Sequence, residues 1–294
     1  MKIILITGAS SGIGFDAARE LARQGHKVYA AARRTGLMEP LKSNGVVTMH
    51  MDVTDDESMQ KGLEQVIATE GRIDVLINNA GYGYFGAIEN VSMEEARRQL
   101  EVNVFGLARL CQLVLPVMRR QGSGRIINTS SIAGRMVLLF GGWYHVSKYS
   151  VEALSDALRM EMKPFGIDVS MIEPGGIKTE WGIIAAKHLK ESSIGTPYEK
   201  AALNESRLMQ KAYSGNYLSS PKVITRAISR AVNSRHPRAR YRTGRFSHIG
   251  IFLHWLLPAK WWDAIIRFLG RIQEKKYSIV YQLHTSKITY GLKK

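Results

Sequence analysis

Apolar positions along the first two thirds of the chain follow two alternating rhythms. Short solid runs at 2–6, 27–32, 46–51, 74–78, 124–129 and 167–172 have the length of strands buried on both faces. Stretches with helical spacing lie between them. One spans 13–24 and stops at Gly25. A second spans 55–69, with Asp and Glu in its first turn and Gly71 beyond it. A third, 92–121, reads as one long helix or two, opened by Ser92 and Glu95 as a capping box, and a fourth covers 143–165. This alternation predicts an α/β fold of three layers, a parallel sheet covered on both faces by helices. After Pro174 the rhythm loosens. Residues 175–220 read as a long loop with short helices, 221–234 as a helix, and 239–242 as a seventh, edge strand. No repeat, low-complexity tract or linker interrupts the chain. One domain over 1–245 with a C-terminal extension over 246–294 is the expected division.

Composition changes this picture in two places. Cys111 is the single cysteine, which excludes an internal disulfide, and its apolar neighbours suggest a buried small hydrophobe. The opening apolar run is too short for a signal core, so a reducing cytoplasm is expected. The net charge of +16 is also uneven. Residues 222–294 hold sixteen Lys and Arg against two acids, Asp263 and Glu274, which places +14 of the excess there. Such a tail suits an anionic neighbour, either phospholipid headgroups or an acidic substrate; no nucleic-acid-binding motif accompanies it. Segment 249–270 is rich in Trp, Leu and Ile but interrupted by Pro258, Lys260, Asp263 and Arg267, too broken to span a bilayer. Two readings stay open for it: a cover over a pocket or subunit contact, or an amphipathic helix on the inner membrane surface.

The turn after the first strand reads Thr7-Gly8-Ala9-Ser10-Ser11-Gly12-Ile13-Gly14. A glycine turn feeding a helix N-terminus lets a pyrophosphate approach the backbone and meet free N–H groups. Its G-x3-G-x-G spacing differs from the commoner G-x-G-x-x-G. Where an NAD site offers a carboxylate to the ribose 2′-hydroxyl, at the end of the second strand, this chain has Ala32-Arg33-Arg34. Two guanidinium groups suit a 2′-phosphate, so NADP(H) is favoured over NAD(H). Asp52 and Val53 follow the third strand and suit either adenine contact or, for Asp52, a helix cap. Asn79, Ala80 and Gly81 close the fourth strand, where small residues allow close approach of a cofactor.

Tyr144 and Lys148 lie one turn apart at the start of a helix and share a face. Free tyrosine, with a pKa near ~10, is a poor acid or base at neutral pH; a neighbouring ammonium favours the phenolate. Ser131, just past the fifth strand, has a hydroxyl suited to hold a substrate oxygen against that phenol. Asn103 lies mid-helix, where it could bend the helix and hold a water leading from Lys148 to solvent. Pro174, Gly175, Ile177 and Thr179 follow the sixth strand, and the Thr179 hydroxyl suits a nicotinamide carboxamide. His145 points off the tyrosine face and reads as structural.

In this order and at these separations, Gly8 to Gly14, Asn78 to Gly81, Asn103, Ser131, Tyr144, Lys148 and Pro174 to Thr179 resemble the motif set of the classical short-chain dehydrogenase/reductases over roughly residues 2–235. The resemblance is greatest to the 17-beta-hydroxysteroid and retinol dehydrogenase-like branch. It implies a Rossmann-like, doubly wound sheet of about seven strands, hydride exchange at a nicotinamide, and an Asn103–Ser131–Tyr144–Lys148 tetrad. It also implies a homodimer or homotetramer built on the two long helices. Trp143, before the tyrosine, is bulkier than the family's usual small residue. The loops holding Met136 to Phe140 and Trp181 to Leu189, with Tyr82, Tyr84 and Phe85, make a largely apolar mouth. The expectation is an NADP(H)-dependent oxidoreductase for a hydrophobic secondary alcohol and its ketone or aldehyde. The alternative is a non-catalytic NADP(H)-sensing regulator or membrane-associated scaffold.

Overall fold

The computed structural model describes residues 1–268. The elements run β1 (Ile3–Thr7), α1 (Gly12–Arg23), β2 (Lys27–Ala32), α2 (Glu39–Lys42), β3 (Val47–His50), α3 (Asp56–Glu70), β4 (Val75–Asn78), α4 (Met93–Leu100), α5 (Gly106–Gln121) and β5 (Gly124–Thr129). They continue with α6 (Gly142–Met162), β6 (Ile167–Pro174), α7 (Glu180–Ser193), α8 (Glu199–Ser214), α9 (Lys222–Asn233), β7 (Arg240–Thr243) and α10 (Ser247–Leu256).

The seven strands make one sheet in the order β3-β2-β1-β4-β5-β6-β7, and every neighbouring pair is parallel. Alternate residues of each strand face opposite layers. Ile3 and Leu5 join Tyr29, Leu76 and Ile126 against α3, α5 and α6. Ile4 and Ile6 join Val28, Ile77 and Ile127 against α1 and α9. A fully buried Ile or Leu contributes about 1.5–3 kcal/mol, which explains why these strands carry no polar face. This is the Rossmann-like, doubly wound architecture expected. After β3 the chain crosses back to the far side of β1, so the β1 and β4 carboxyl ends diverge and open a crevice at the switch point.

Two details differ from the sequence reading. The 92–121 stretch is helical throughout, but α4 and α5 are joined by a π-helical turn, Glu101–Phe105, with buried Asn103 inside it. The extra residue per turn rotates that amide inward. The stretch Met93–Gln121 is long and apolar enough to cross a membrane by composition alone; here its inner face fills the core through Leu107, Leu110, Val114 and Met118. Residues 175–220 are not a loop with short helices but hold α7 and α8, of 14 and 16 residues. The α8 stripe of Ala202, Ser206, Met209 and Tyr213 has helical spacing, diluted by small and polar residues that mask its period.

The extension begins with Phe246 in a left-handed conformation and continues into α10; after Pro258 the chain is helical again over 259–268. It folds back on the body. Trp262 Nε1 donates to the Val137 carbonyl at 3.0 Å, and a methyl at Gly250 would lie 3.1 Å from the Met136 sulfur. Gly270 and the basic residues from Arg271 onward lie outside the described residues.

Candidate active site

The glycine turn is held from below by the end of β4. Thr7 Oγ1 accepts from the Asn79 and Ala80 amides, each at 3.1 Å, and Asn79 Nδ2 donates to the Thr7 and Gly8 carbonyls. Asn79 thus supports the turn. Gly8 has φ +67°, and a methyl there would lie 2.7 Å from Ala80 Cα. One on Gly14 would lie 2.5 Å from the Gly8 carbonyl oxygen. On the other side, space around Gly12 is open. Ser11 precedes α1 without bonding its amides, and no acid sits in the first turn. Ile13 packs on the core beneath. Free helix N–H groups facing an open, side-chain-free cradle fit a dinucleotide pyrophosphate.

At the end of β2, Arg34 Nη2 donates to Ser10 Oγ at 3.3 Å, and the exposed Arg33 lies 3.9 Å from Asp52. Asp52 accepts from the Thr54 amide and hydroxyl at 3.0 and 2.8 Å. Burial opposes ionisation of Asp52, but the Thr54 bonds and the Arg33 charge hold its carboxyl below the usual range. The helix-cap role goes to Asp55, which accepts from the Glu57 and Ser58 amides; the cap reading of Asp52 is therefore corrected. Val53 is buried, packed against Gly106 of α5.

The chemical groups gather where β4, β5 and β6 end. Tyr144 and Lys148, on the first turns of α6, are both buried. The ammonium lies 5.9 Å from the Tyr144 ring centre and donates to the Thr129 carbonyl at 2.8 Å. Burial pushes the Tyr144 phenol pKa up, while the Ser131 hydroxyl works in the opposite sense. Burial lowers Lys148 to about 8, with the Glu152 charge partly offsetting it. Ser131 caps the short turn after β5 by accepting from the Ala133 amide at 3.1 Å.

Asn103 joins three parts of the site. Its Oδ1 accepts from the Tyr82 amide at 3.0 Å; its Nδ2 donates to the Tyr82 carbonyl at 2.8 Å and to Ser147 Oγ of α6 at 3.0 Å. Gly81 sits between Asn103 and Lys148: a methyl there would be 3.0 Å from Asn103 Oδ1 and 3.8 Å from Lys148 Nζ. The four residues expected to act together are brought together, beside the glycine turn. His145 is structural: Nε2 accepts from the Leu138 amide and Nδ1 is 2.9 Å from the Ala133 carbonyl. With Nε2 accepting, Nδ1 carries the proton. Gly175 donates to the Thr243 carbonyl, Ile177 is buried, and Thr179 precedes α7 with no capping bond from its hydroxyl.

Aromatic groups enclose the phenol. The Trp181 and Phe85 ring centres lie 4.9 and 5.8 Å from that of Tyr144. Phe140 and Met209 pack on the same cluster. Tyr82 leaves this mouth, because its hydroxyl donates to Glu95 at 2.7 Å. That bond also takes the return arm of the expected capping box, leaving only Ser92 Oγ accepting from the Glu95 amide. Two features escaped sequence reasoning. The α8 wall was hidden by its diluted period. Behind Lys148, an ion cluster joins Glu152 and Glu173 to Arg240 at 3.1 and 3.0 Å, and Glu173 to Arg242 at 2.8 Å. It unites α6, β6 and β7, and no local spacing signals it.

Comparison with known proteins agrees with this geometry. A family model described as short chain dehydrogenase matches residues 2–188. A protein of Helicobacter pylori described as "probable short-chain type dehydrogenase/reductase VdlC" is 38% identical, over 91% of this chain and 98% of its own. The 3-ketodihydrosphingosine reductase of Bacteroides thetaiotaomicron is 38% identical over 83% of this chain and 88% of its own. Human 17-beta-hydroxysteroid dehydrogenase type 1 is 36% identical over 76% and 68%, in line with the branch resemblance. A short-chain dehydrogenase structure from Streptomyces avermitilis superposes with TM-score 0.75 at 29% identity, covering 95% of this chain and all of that one. An alcohol dehydrogenase from Thermococcus sibiricus complexed with 5-hydroxy-NADP gives 0.68 at 28% identity, covering 84% and 98%. This chain therefore belongs to the short-chain dehydrogenase family of oxidoreductases.

Proposed function

We propose that the chain is an NADP(H)-dependent reductase and dehydrogenase interconverting a lipophilic ketone or aldehyde with its alcohol. The observation that carries the reading is the meeting of Tyr144, Lys148, Ser131 and Asn103 beside a side-chain-free glycine cradle. A nicotinamide dinucleotide bound in that crevice supplies or accepts the hydride. The chain's own residues do the rest. Gly8, Ser10, Ser11, Gly12, Ile13 and Gly14 receive the pyrophosphate, Arg33 and Arg34 pair with the 2′-phosphate, and Asp52 and Val53 border the adenine. Asn79, Ala80, Gly81, Pro174, Gly175, Ile177 and Thr179 line the nicotinamide end. Tyr144 gives its phenolic proton to the carbonyl oxygen in reduction and takes it back in oxidation. Ser131 orients that oxygen. Lys148 favours the phenolate and holds the nicotinamide ribose, and Asn103 fixes the route by which Lys148 exchanges protons with solvent.

The apolar enclosure of Trp181, Phe85, Phe140 and Met209 favours a lipophilic substrate, and relatives named for a ketosphingoid base and a hydroxysteroid support that class. Side chains exposed on the two long helices, Phe105 at 57% and Met160 at 64%, suit a homodimer or homotetramer contact, and a cytoplasmic site fits a single buried thiol. The test is reduced-nicotinamide absorbance across long-chain and polycyclic ketones, with NADPH and NADH in parallel. Turnover of apolar ketones with NADPH preferred is expected; no consumption across the panel sinks the reading.

A further inference from the structure

Residues 246–268 of the extension expose a dense run of large apolar side chains. On α10 only Ser247 and Ile251 are buried, while Ile249, Phe252, Leu253, Trp255 and Leu256 face outward. The helical residues 259–268 repeat the pattern: Trp262 is buried, and Trp261, Ile265 and Phe268 are exposed. Trp255 and Trp261 are 77% and 66% exposed. A helix apolar on nearly every side belongs in a core or in lipid, and large contiguous apolar patches mark interaction sites. The two segments are locked together, His254 meeting Trp262 edge to face at 5.1 Å.

The patch adjoins the active-site mouth. Through the Gly250–Met136 and Trp262–Val137 contacts it rests on the loop where Val137, Leu138 and Leu139 are themselves exposed. The same loop ends in Phe140, which packs on the Tyr144 cluster.

Charge selects the occupant. The patch is edged by Lys260 and Arg267, Arg245 lies 4.8 Å from the Tyr217 ring centre beside Phe246, and the sequence from 269 on adds six Lys and Arg against one Glu. A second copy seated here would bring two strongly basic tails together. An anionic bilayer surface takes both features at once, the aromatics at headgroup depth and the cations on the phosphates. Spanning is excluded for α10, whose ten residues reach about 15 Å, half of a hydrocarbon core.

We propose that residues 246–268 are an interfacial anchor that seats the mouth of the site on an anionic phospholipid bilayer, so that a lipophilic substrate enters from the membrane. The entry route rests on the proposed lipophilic substrate; the anchoring itself does not. The test is co-sedimentation of the full chain with vesicles of phosphatidylcholine, with and without phosphatidylglycerol, and Trp fluorescence with brominated lipid as quencher. Binding to the anionic vesicles, weakening with salt and quenched by bromine, is expected. Trp255→Ser with Trp261→Ser lowers the partition coefficient about tenfold or more, while turnover of a short water-soluble ketone stays unchanged. Absence of binding, or binding indifferent to this pair, overturns the proposal. So does a dimer that the pair converts to monomer without affecting vesicles, or retention on duplex DNA without retention on vesicles. Because vesicle binding is read without cofactor or substrate, a protein that binds vesicles but consumes no NADPH refutes only the functional reading, and the reverse refutes only the anchor.

Discussion

The two halves of the site are built from different materials. The cofactor side, around β1 and β4, is made of backbone: a glycine turn, strand ends and a helix terminus, with Asn79 and Thr7 as braces. The proposed substrate side, from the loop after β5 to α7 and α8, is made of side chains packed on one another, Trp181 on Tyr144 and Tyr213 on Trp181. Backbone sites tolerate almost no change because the bound group fills the space a side chain would need. Side-chain sites can exchange one apolar group for another and keep their shape. Substitutions on the first side should therefore act on every substrate alike, and those on the second should act on substrate choice.

The largest effect expected is at the junction of the two sides. Tyr144→Phe removes the proposed proton carrier and should lower kcat by about 10²–10⁴-fold or more, with NADPH affinity by fluorescence titration nearly unchanged. A variant that turns over normally removes the mechanism. Next is Gly14→Val. A side chain there meets the Gly8 carbonyl and the Asn79 amide, so a loss of about 1–3 kcal/mol in stability and of cofactor binding is expected, by thermal melts with and without NADPH. Arg33→Glu with Arg34→Glu should lower NADPH preference over NADH by about 10–100-fold, the scale of one or two charge-assisted hydrogen bonds; an unchanged ratio means the arginines are solvated surface groups. On the substrate side, Trp181→Ala should raise KM for apolar ketones about tenfold while leaving NADPH affinity alone. A parallel loss of both would dissolve the contrast between the halves.

How much of each half was legible follows from the same contrast. The glycine turn, the strand ends and the Tyr144/Lys148 pair are local, with spacings fixed by one turn of helix or one strand exit, so the sequence displays them. The arginines after β2 were visible because a charge stands where an acid is usual. The α7–α8 cover reads as loop in the sequence because its inward stripe mixes Ala202 and Ser206 with Met209. Only tertiary packing, with Tyr213 against Gly182, reveals which face is inner. The π-helical turn at Asn103 was foreshadowed only as a bend. Its cause is long-range, since the amide bonds both Tyr82 and Ser147. The Glu152–Glu173–Arg240 cluster draws on residues far apart in the chain and had no local signature at all.

That cluster gives the subtlest test, because it reaches the site through the charge of Glu152 on Lys148. Burial lowers Lys148 to about 8, and the nearby Glu152 carboxylate holds it up from falling further. Burial also raises the Glu152 pKa, while Ser130 and Arg240 favour its ionised form. Glu152→Gln removes the negative charge, so Lys148 should lose its proton at lower pH. A kcat/KM limb set by Lys148 in the free enzyme should then move to lower pH. Stability responds with a definite sign. The unfolded chain holds the Lys148 proton up to its ordinary value near ~10.4, while the folded chain releases it near 8. Between these values the unfolded state binds more protons, so this group makes stability rise with pH, and below about 8 its burial cost is present in full. Glu152→Gln should widen that window downward. Melting temperatures taken across it, in Glu152→Gln and in Lys148→Met, separate the two causes: the slope should steepen on the acid side in the first and disappear in the second. A profile unmoved by Glu152→Gln would reduce the cluster to a structural tie between α6, β6 and β7.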